Sequence, residues 1–370
     1  MRLLVLGGTV FVGRATVEEA VRRGWSVTVF HRGRHGEAAV PDVEHVHGDR
    51  TTDLGLLGGR SWDAVVDTCA FSGPDVAASA AALADAVERY ALVSSVSAYK
   101  TWPADAVGED APLKEADDED TYGAGKVAAE RAAEAAMPGR VLITRPGLIV
   151  GPYENIGRLP YWLRRVARGG EVLAPGRADE ARQWVDARDL AEFTLDAVEL
   201  GRTGAFNTIS PPDFTMGDVL DACVRVTGSD ATLRWVDGAV ITAAGIAPWT
   251  ELPLWLWDTE EDVANTWRVD VSQGSRRAGV LAPSSTRCAT HGSGCAGRAR
   301  AARATARSTP SATSTRSVSA PPSPQRGSPL PWPGGRRPAR SAHRRRGRHR
   351  PRPRRPPTHP AGGRGQRCAA

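Results

Sequence analysis

The chain lacks the cysteine patterns that would define it by its metals or crosslinks. None of its five cysteines has CxxC or zinc-finger spacing, and Cys288, Cys295 and Cys368 all fall after Pro283. Neither a disulfide framework nor a metal site is indicated. No apolar stretch approaches the ~18 residues of a membrane span. The N-terminus has no basic-then-apolar leader. The expectation is a soluble cytoplasmic protein with no membrane partner.

A further absence divides the chain. From Pro283 to the end of the 370 residues there is no Asp, Glu, Lys, Ile, Phe, Tyr, Asn or Met. Arg, Pro, Ser, Ala, Gly and Thr dominate, with runs such as Arg344-Arg345-Arg346-Gly347-Arg348. Such a segment cannot bury enough apolar surface to offset the entropy of ordering, so 283–370 reads as a disordered tail. The formal charge of +6 hides this split. Only 28 of the 48 basic residues precede Pro283, with all 42 acidic ones, so the body carries −14 and the tail +20. An acidic body is a poor nucleic-acid surface, and only the tail could bind one nonspecifically. Two accounts of the tail stand: an out-of-frame reading of GC-rich DNA, which enriches these residue types, or a genuine polybasic arm. The first would leave the body short of its last element.

The body alternates apolar strands with helical spacing. Arg2–Leu6 reads as a strand, followed by Gly7-Gly8-Thr9-Val10-Phe11-Val12-Gly13 and a helix ending at Gly24. Further strands are expected at 26–30, 43–47, 64–67, 90–94 and 141–144, with helices at 75–88 and 122–136. The strands are continuous apolar runs rather than alternating ones. That is the mark of a parallel sheet covered on both faces, an α/β doubly wound (Rossmann) fold. Residues 1–150 read as a dinucleotide-binding domain. Residues 151–282 read as a smaller C-terminal substrate region, some of whose segments return to the sheet. Its tryptophans Trp249, Trp255 and Trp257 either stack a substrate ring or fill the small core.

Three segments carry chemistry. The glycine loop between strand and helix exposes backbone N–H groups where a pyrophosphate is stabilised. Gly7 permits the tight turn and Gly13 the close packing of helix on strand. Val10 holds the place of the middle glycine, with Gly8 as its substitute. The second strand ends Phe30-His31-Arg32, where a basic residue suits the 2′-phosphate of NADP better than the ribose hydroxyl of NAD. NADP is therefore favoured, with NAD the alternative. Asp49 either holds the adenine amino group or is an ordinary turn residue.

Tyr122 and Lys126 stand four apart in a helical segment, 27 residues after Ser95 at a strand end. The spacing puts them on one helix face. A tyrosine ionises near 10, too high for a base, and a nearby ammonium lowers that value. Ser95 can orient a substrate oxygen while tyrosine moves the proton. Ser97 is a second candidate for the serine role.

These segments resemble the extended branch of the short-chain dehydrogenase/reductase superfamily over residues 1–280. Beside the glycine loop, the resemblance rests on Ser94-Ser95-Val96-Ser97-Ala98-Tyr99, Tyr122-Gly123-Ala124-Gly125-Lys126, Arg145-Pro146-Gly147-Leu148-Ile149-Val150-Gly151-Pro152 and Val185-Asp186-Ala187-Arg188-Asp189-Leu190-Ala191. It implies catalytic Ser95, Tyr122 and Lys126 and cofactor glycines at Gly7 and Gly13; with the readings above, the expected cofactor site is Gly7, Gly8, Thr9, Phe11, Val12, Gly13, Arg32, Asp49 and Lys126. It places the segment around Pro146 near the nicotinamide, makes Asn207 a recurring strand element, and suggests a homodimer through helices 75–88 and 122–136. The implied function is an NAD(P)-dependent oxidoreductase acting on a small carbonyl or hydroxyl substrate. A sugar-nucleotide epimerase with bound NAD is the alternative. An RNA-binding protein with a vestigial fold is the second alternative, and the intact Tyr-Lys pair argues against it.

Overall fold

The computed structural model describes residues 1–34, 40, 42–102, 105–115, 121–257 and 265–272. The tail from Pro283, part of the acidic loop before Tyr122 and part of the tryptophan-rich stretch lie outside the described residues. The first half runs β1 (Arg2–Leu6), α1 (Phe11–Arg22), β2 (Ser26–His31), β3 (Glu44–His47), β4 (Trp62–Asp67), α2 (Gly73–Leu83), β5 (Val87–Val93), α3 (Thr121–Ala136) and β6 (Val141–Pro146). The second half adds β7 (Leu148–Val150), α4 (Arg158–Ala167), β8 (Glu171–Pro175), β9 (Ala181–Arg182), β10 (Trp184–Asp186) and α5 (Ala187–Glu199). It continues with β11 (Gly204–Thr208), β12 (Phe214–Thr215), α6 (Met216–Thr227), β13 (Thr232–Val236) and α7 (Gly238–Ala243).

Seven strands form one parallel sheet in the order β3-β2-β1-β4-β5-β6-β11. Its centre is dry on both sides, since Leu3, Leu4, Val5 and Leu6 are all fully buried. Leu3 and Val5 join the core with α1 and α5, while Leu4 and Leu6 join the opposite core with α2 and α3. That two-sided burial explains the unbroken apolar runs and makes the fold a doubly wound α/β (Rossmann) sheet. β11 comes from the second half and pairs with β6, Phe206 opposite Thr144.

One element differs from expectation. The helix expected over 75–88 is Gly73–Leu83, opened by Ser72, whose side chain accepts from Asp75 N, and by Pro74 in the first turn. It stops because Val87 and Arg89 are claimed by β5, where Val87 pairs with Trp62. Strand pairing overrides the local helical preference.

The rest of the second half packs around its own apolar cluster. β8 and β13 pair in parallel, and α4 and α6 cover them. Trp162 and Trp255 are fully buried there, and Trp162 Nε1 donates to Pro253 O at 2.6 Å. Trp257 stacks on Trp255 with ring centroids 6.2 Å apart. Of the three tryptophans singled out, two therefore fill the core, and Trp249 alone lines the cleft described next.

Candidate functional site

Strand order reverses between β1 and β4: the chain winds outward through β2 and β3, then in the other direction through β5 and β6. In such sheets a crevice opens at the carboxyl ends of the strands where the winding reverses. Here it is a cleft of about 680 Å³ lined by the glycine loop, Arg32, Asp49, Ser95, Tyr122 and Lys126 together. Pro146 ends β6, paired with Thr208, and does not line the cleft; its neighbour Gly147 does.

The loop is shaped for close approach. Gly7 and Gly8 hold φ of +105° and +84°. A Cβ on Gly13 would stand 2.6 Å from the backbone N of Gly8, so only glycine fits. Val10 takes the N-cap position of α1 in extended conformation with no side-chain cap bond, and the first turn of α1 carries no acidic residue. Its side chain is turned into the α1–α5 contact beside Phe11, Ala187 and Ala191, which is how valine is accommodated there. In contrast, Ser72, Asp186 and Thr215 cap α2, α5 and α6. The free N–H groups and the positive end of α1 are thus left for a ligand anion. Thr9, Phe11 and Val12 complete the lining, Phe11 at an uncommon φ of 44°. This cradle, which a Cβ would fill, fits a dinucleotide pyrophosphate.

At the end of β2, Arg32 is exposed and its Nη1 lies 3.9 Å from Asp49 Oδ2. The Asp49 carboxylate accepts from Thr51 N at 3.0 Å and Thr51 Oγ1 at 2.8 Å, and these bonds hold its pKa below the usual range. It is thus a turn residue that also faces the cleft. Beneath it, Arg50 makes a two-pronged ion pair with the fully buried Asp67, at 2.9 and 2.8 Å. Tyr90 Oη donates to the same carboxylate at 2.7 Å. The one sign of this support in the sequence is Asp67, a charged residue ending the apolar run of β4.

Three histidines also converge here. Gly33 N donates to His31 Nδ1 (3.0 Å), His31 Nε2 lies 2.8 Å from His45 Nδ1, and His45 Nε2 lies 3.0 Å from Val40 O. One tautomer set satisfies the chain: His31 donates through Nε2 and His45 donates through Nε2 to the carbonyl. His47 sits opposite His31 in the β2–β3 register and completes a group whose ring nitrogens lie within 4.8 Å of one another. The spacing would admit a metal ion, and the sequence reading missed the group because its members lie on two strands. Both nitrogens of His31 and His45 are engaged in hydrogen bonds.

On the other wall, Lys126 is 3% exposed. Its Nζ donates to Ala70 O at 2.8 Å and Val93 O at 3.0 Å, and it lies 5.7 Å from the centre of the Tyr122 ring. Burial pushes its pKa down to about 8, against the opposing pull of Asp67. Ser95 caps the short turn Val96–Ala98, its Oγ accepting from Ser97 N at 3.1 Å. Ser94 turns the other way and donates to Glu130 Oε1 at 2.5 Å. Glu130 in turn grips Arg145 at 2.7 and 3.1 Å, both side chains about 5% exposed or less. Arg145 reaches Tyr99 Oη at 3.3 Å, and Tyr99 donates to Asn207 Oδ1 at 2.6 Å. Asn207 Nδ2 donates to Val107 O and Asp270 O, tying two loops to the sheet. Asn207 is a structural clamp in this chain. This buried network is not evident in the sequence; its one trace is an arginine ending the apolar run of β6.

The family model for NAD dependent epimerases and dehydratases matches residues 3–209. The chain belongs to the NAD dependent epimerase/dehydratase family. It is an enzyme of the extended short-chain dehydrogenase/reductase type. Among solved structures it is similar to UDP-N-acetylglucosamine 4-epimerase from Bacillus cereus, with 17% identity and a TM-score of 0.62, covering 81% of this chain and 99% of that one. It is also similar to UDP-glucose 4-epimerase from Thermotoga maritima, with 16% identity, a TM-score of 0.62 and coverage of 83% and 100%. A third likeness is a human epimerase family protein solved with NADPH, with 20% identity, a TM-score of 0.53 and coverage of 76% and 95%. At these identities the likeness establishes the fold. No curated protein matches the chain. Among the described residues, no helix is long and apolar enough to cross a membrane.

Proposed function

We propose that this chain is a nicotinamide-dependent oxidoreductase acting on a small carbonyl or hydroxyl substrate. The observation that carries this is the placement of Lys126 one turn below Tyr122, in the same cleft as the uncapped start of α1. Gly7, Gly8, Gly13 and the first N–H groups of α1 would hold the pyrophosphate, and Gly147 would face the nicotinamide. When bound, the nicotinamide supplies or accepts a hydride at the substrate carbon. Ser95 orients the substrate oxygen, and Tyr122 gives or takes its proton. Lys126, cationic below about pH 8, favours the phenolate.

NADP is the preferred cofactor in this reading, since Arg32 is exposed at the end of β2 and has only a 3.9 Å contact with Asp49 to give up. Residues 1–150 would act as the cofactor domain and 151–282 as the substrate domain, with a homodimer formed through α2 and α3.

A sugar-nucleotide epimerase is the second reading, favoured by the family match and by the UDP-sugar epimerases among the similar structures. Stoichiometry separates them. With carbonyl substrates and with UDP-sugars, a reductase consumes one NAD(P)H per turnover. An epimerase interconverts the sugar with no net change in absorbance at the nicotinamide band.

A further inference from the structure

Three imidazoles share one face of the sheet at its edge. β3 closes the sheet on one side and pairs only with β2, with Val29 opposite His45 and His31 opposite His47. Side chains two apart in a strand point the same way, so His31, His45 and His47 continue the row that begins with Val27 and Val29. Those valines are buried in the core shared with α1 and α5. Toward the carboxyl ends of the strands the apolar row gives way to three rings, buried at His31, half-buried at His45 and exposed at His47. One ring nitrogen of each lies within 4.8 Å of the other two, and among the described residues no carboxylate or thiol joins the group.

The hydrogen bonds within the group match those around a metal-binding histidine. His45 Nε2 lies 3.0 Å from Val40 O, a carbonyl that can only accept, so the ring proton sits on Nε2 and the lone pair on Nδ1. A backbone carbonyl behind one ring nitrogen is the usual support for a histidine whose other nitrogen holds a metal. The Nδ1 lone pair of His45 faces His31 Nε2 at 2.8 Å. Two nitrogens on one tetrahedral zinc stand roughly 3.3 Å apart, given bonds of about 2.0–2.1 Å. An ion therefore takes the place of the shared proton if the pair opens by about half an ångström. His47 packs edge-on against His31 with ring centroids 4.8 Å apart, and its exposure lets the ring close on the same point. The exchange has one cost. His31 must then carry its proton on Nδ1, so Gly33 N gives up its 3.0 Å bond to that nitrogen. Gly33 holds a φ of +73°, and only the His47 ring lies within 4 Å of where its Cβ would be, so this turn can yield.

Imidazole nitrogens select zinc, copper or nickel, whereas magnesium and calcium take oxygen ligands. Zinc has no geometric preference of its own and accepts three protein nitrogens with water in the fourth position. We propose that His31, His45 and His47 form a binding site for a divalent transition-metal ion, zinc being the best suited. β1 and β4 stand between β2 and the β5 strand that leads to Ser95, so the ion takes no part in proton transfer at Tyr122. Its role is structural. It ties β3, which has a neighbouring strand on one side only, to the end of β2 from which Arg32 enters the cleft wall. The proposal stands apart from the redox reading of the cleft and does not depend on it.

The test is calorimetry of the full, reduced chain with zinc chloride, and visible spectroscopy with cobalt(II), on the parent and on His47→Gln. The five cysteines offer zinc other ligands, so the difference between the two proteins carries the result. The parent should bind one ion more per chain than the variant, or the same ion about a hundredfold tighter, since losing a ligand costs at least as much as losing its outer support. The cobalt difference spectrum should show the ligand-field bands of a nitrogen site and no sulfur charge-transfer band. His47→Cys should restore binding and bring that sulfur band with it, a result that a merely structural histidine would not give. Should His47→Gln melt early without metal, His45→Gln takes its place in the comparison with the same loss expected. Equal zinc affinity and equal cobalt spectra in parent and variant, or no binding by the parent, overturns the proposal. NADPH titration of the same samples is a separate readout, and its failure strikes the redox proposal while leaving this one to the metal data.

Discussion

Lys126 Nζ and the Tyr122 ring lie 5.7 Å apart on one face of α3, with the ammonium resting on the carbonyls of Ala70 and Val93. The cation is thus anchored by the sheet side of the cleft while the phenol faces its interior. This arrangement lets the protein supply a fixed positive charge beneath a group that must gain and lose a proton.

Tyr122→Phe should lower turnover by about 10²- to 10⁴-fold, the usual worth of a positioned acid–base group. Binding of the nicotinamide should be unaffected. Steady-state rates and a fluorescence titration on the same preparation check both halves. Undiminished turnover would remove Tyr122 from the chemistry.

Lys126 also makes a pH prediction about stability. Its folded pKa, about 8, lies below its ordinary 10.5, so between these values the unfolded chain holds more protons than the folded one. Stability from this group therefore rises as pH climbs from 8 to 10.5, and its burden is fully present below 8. The gain is about 3 kcal/mol. Cys69, whose thiol burial pushes up from 9.0 to about 12, works the other way over an overlapping range, so the parent alone is not informative. The difference between the parent and Lys126→Met in urea unfolding isolates the lysine. That difference should move in favour of the parent by about 3 kcal/mol from pH 7 to pH 10.5. A flat difference would mean that the ammonium is better solvated than its burial indicates.

The Arg145–Glu130 pair gives a third prediction. Arg145→Met leaves Glu130 buried without its cation and should cost about 3–5 kcal/mol of unfolding free energy. Ser94 still donates to Glu130, but to a carboxylate that Arg145 no longer holds in place, so the variant should also raise KM for any substrate held by Ser95. Equilibrium denaturation measures the first effect. A loss below about 1 kcal/mol would show that water already compensates the pair.

Much of this was legible in the sequence, for identifiable reasons. The sheet declared itself because strands buried on both faces must be apolar throughout, as Leu3 to Leu6 are. The glycine loop and the Tyr122–Lys126 spacing were visible because each depends on short-range geometry. The Arg50–Asp67 and Ser94–Glu130–Arg145 networks were not, since their partners are 17, 36 and 15 positions apart and meet only when loop and helix pack on the sheet. The histidine group is of the same kind: His31 meets His47 through strand register alone. Asp49 was ambiguous in sequence, and its bonds to Thr51 identify it as a turn residue without removing it from the cleft wall.

The most direct test of the central claim is a fluorescence titration of the full chain with NADPH and with NADH, alongside Gly13→Ala. The account predicts saturable binding of one nicotinamide per chain, tighter for NADPH because of Arg32. It predicts loss of that binding in Gly13→Ala, where the new Cβ would stand 2.6 Å from the backbone of Gly8. Absence of binding by either nucleotide, or equal binding by the folded Gly13→Ala variant, would contradict it.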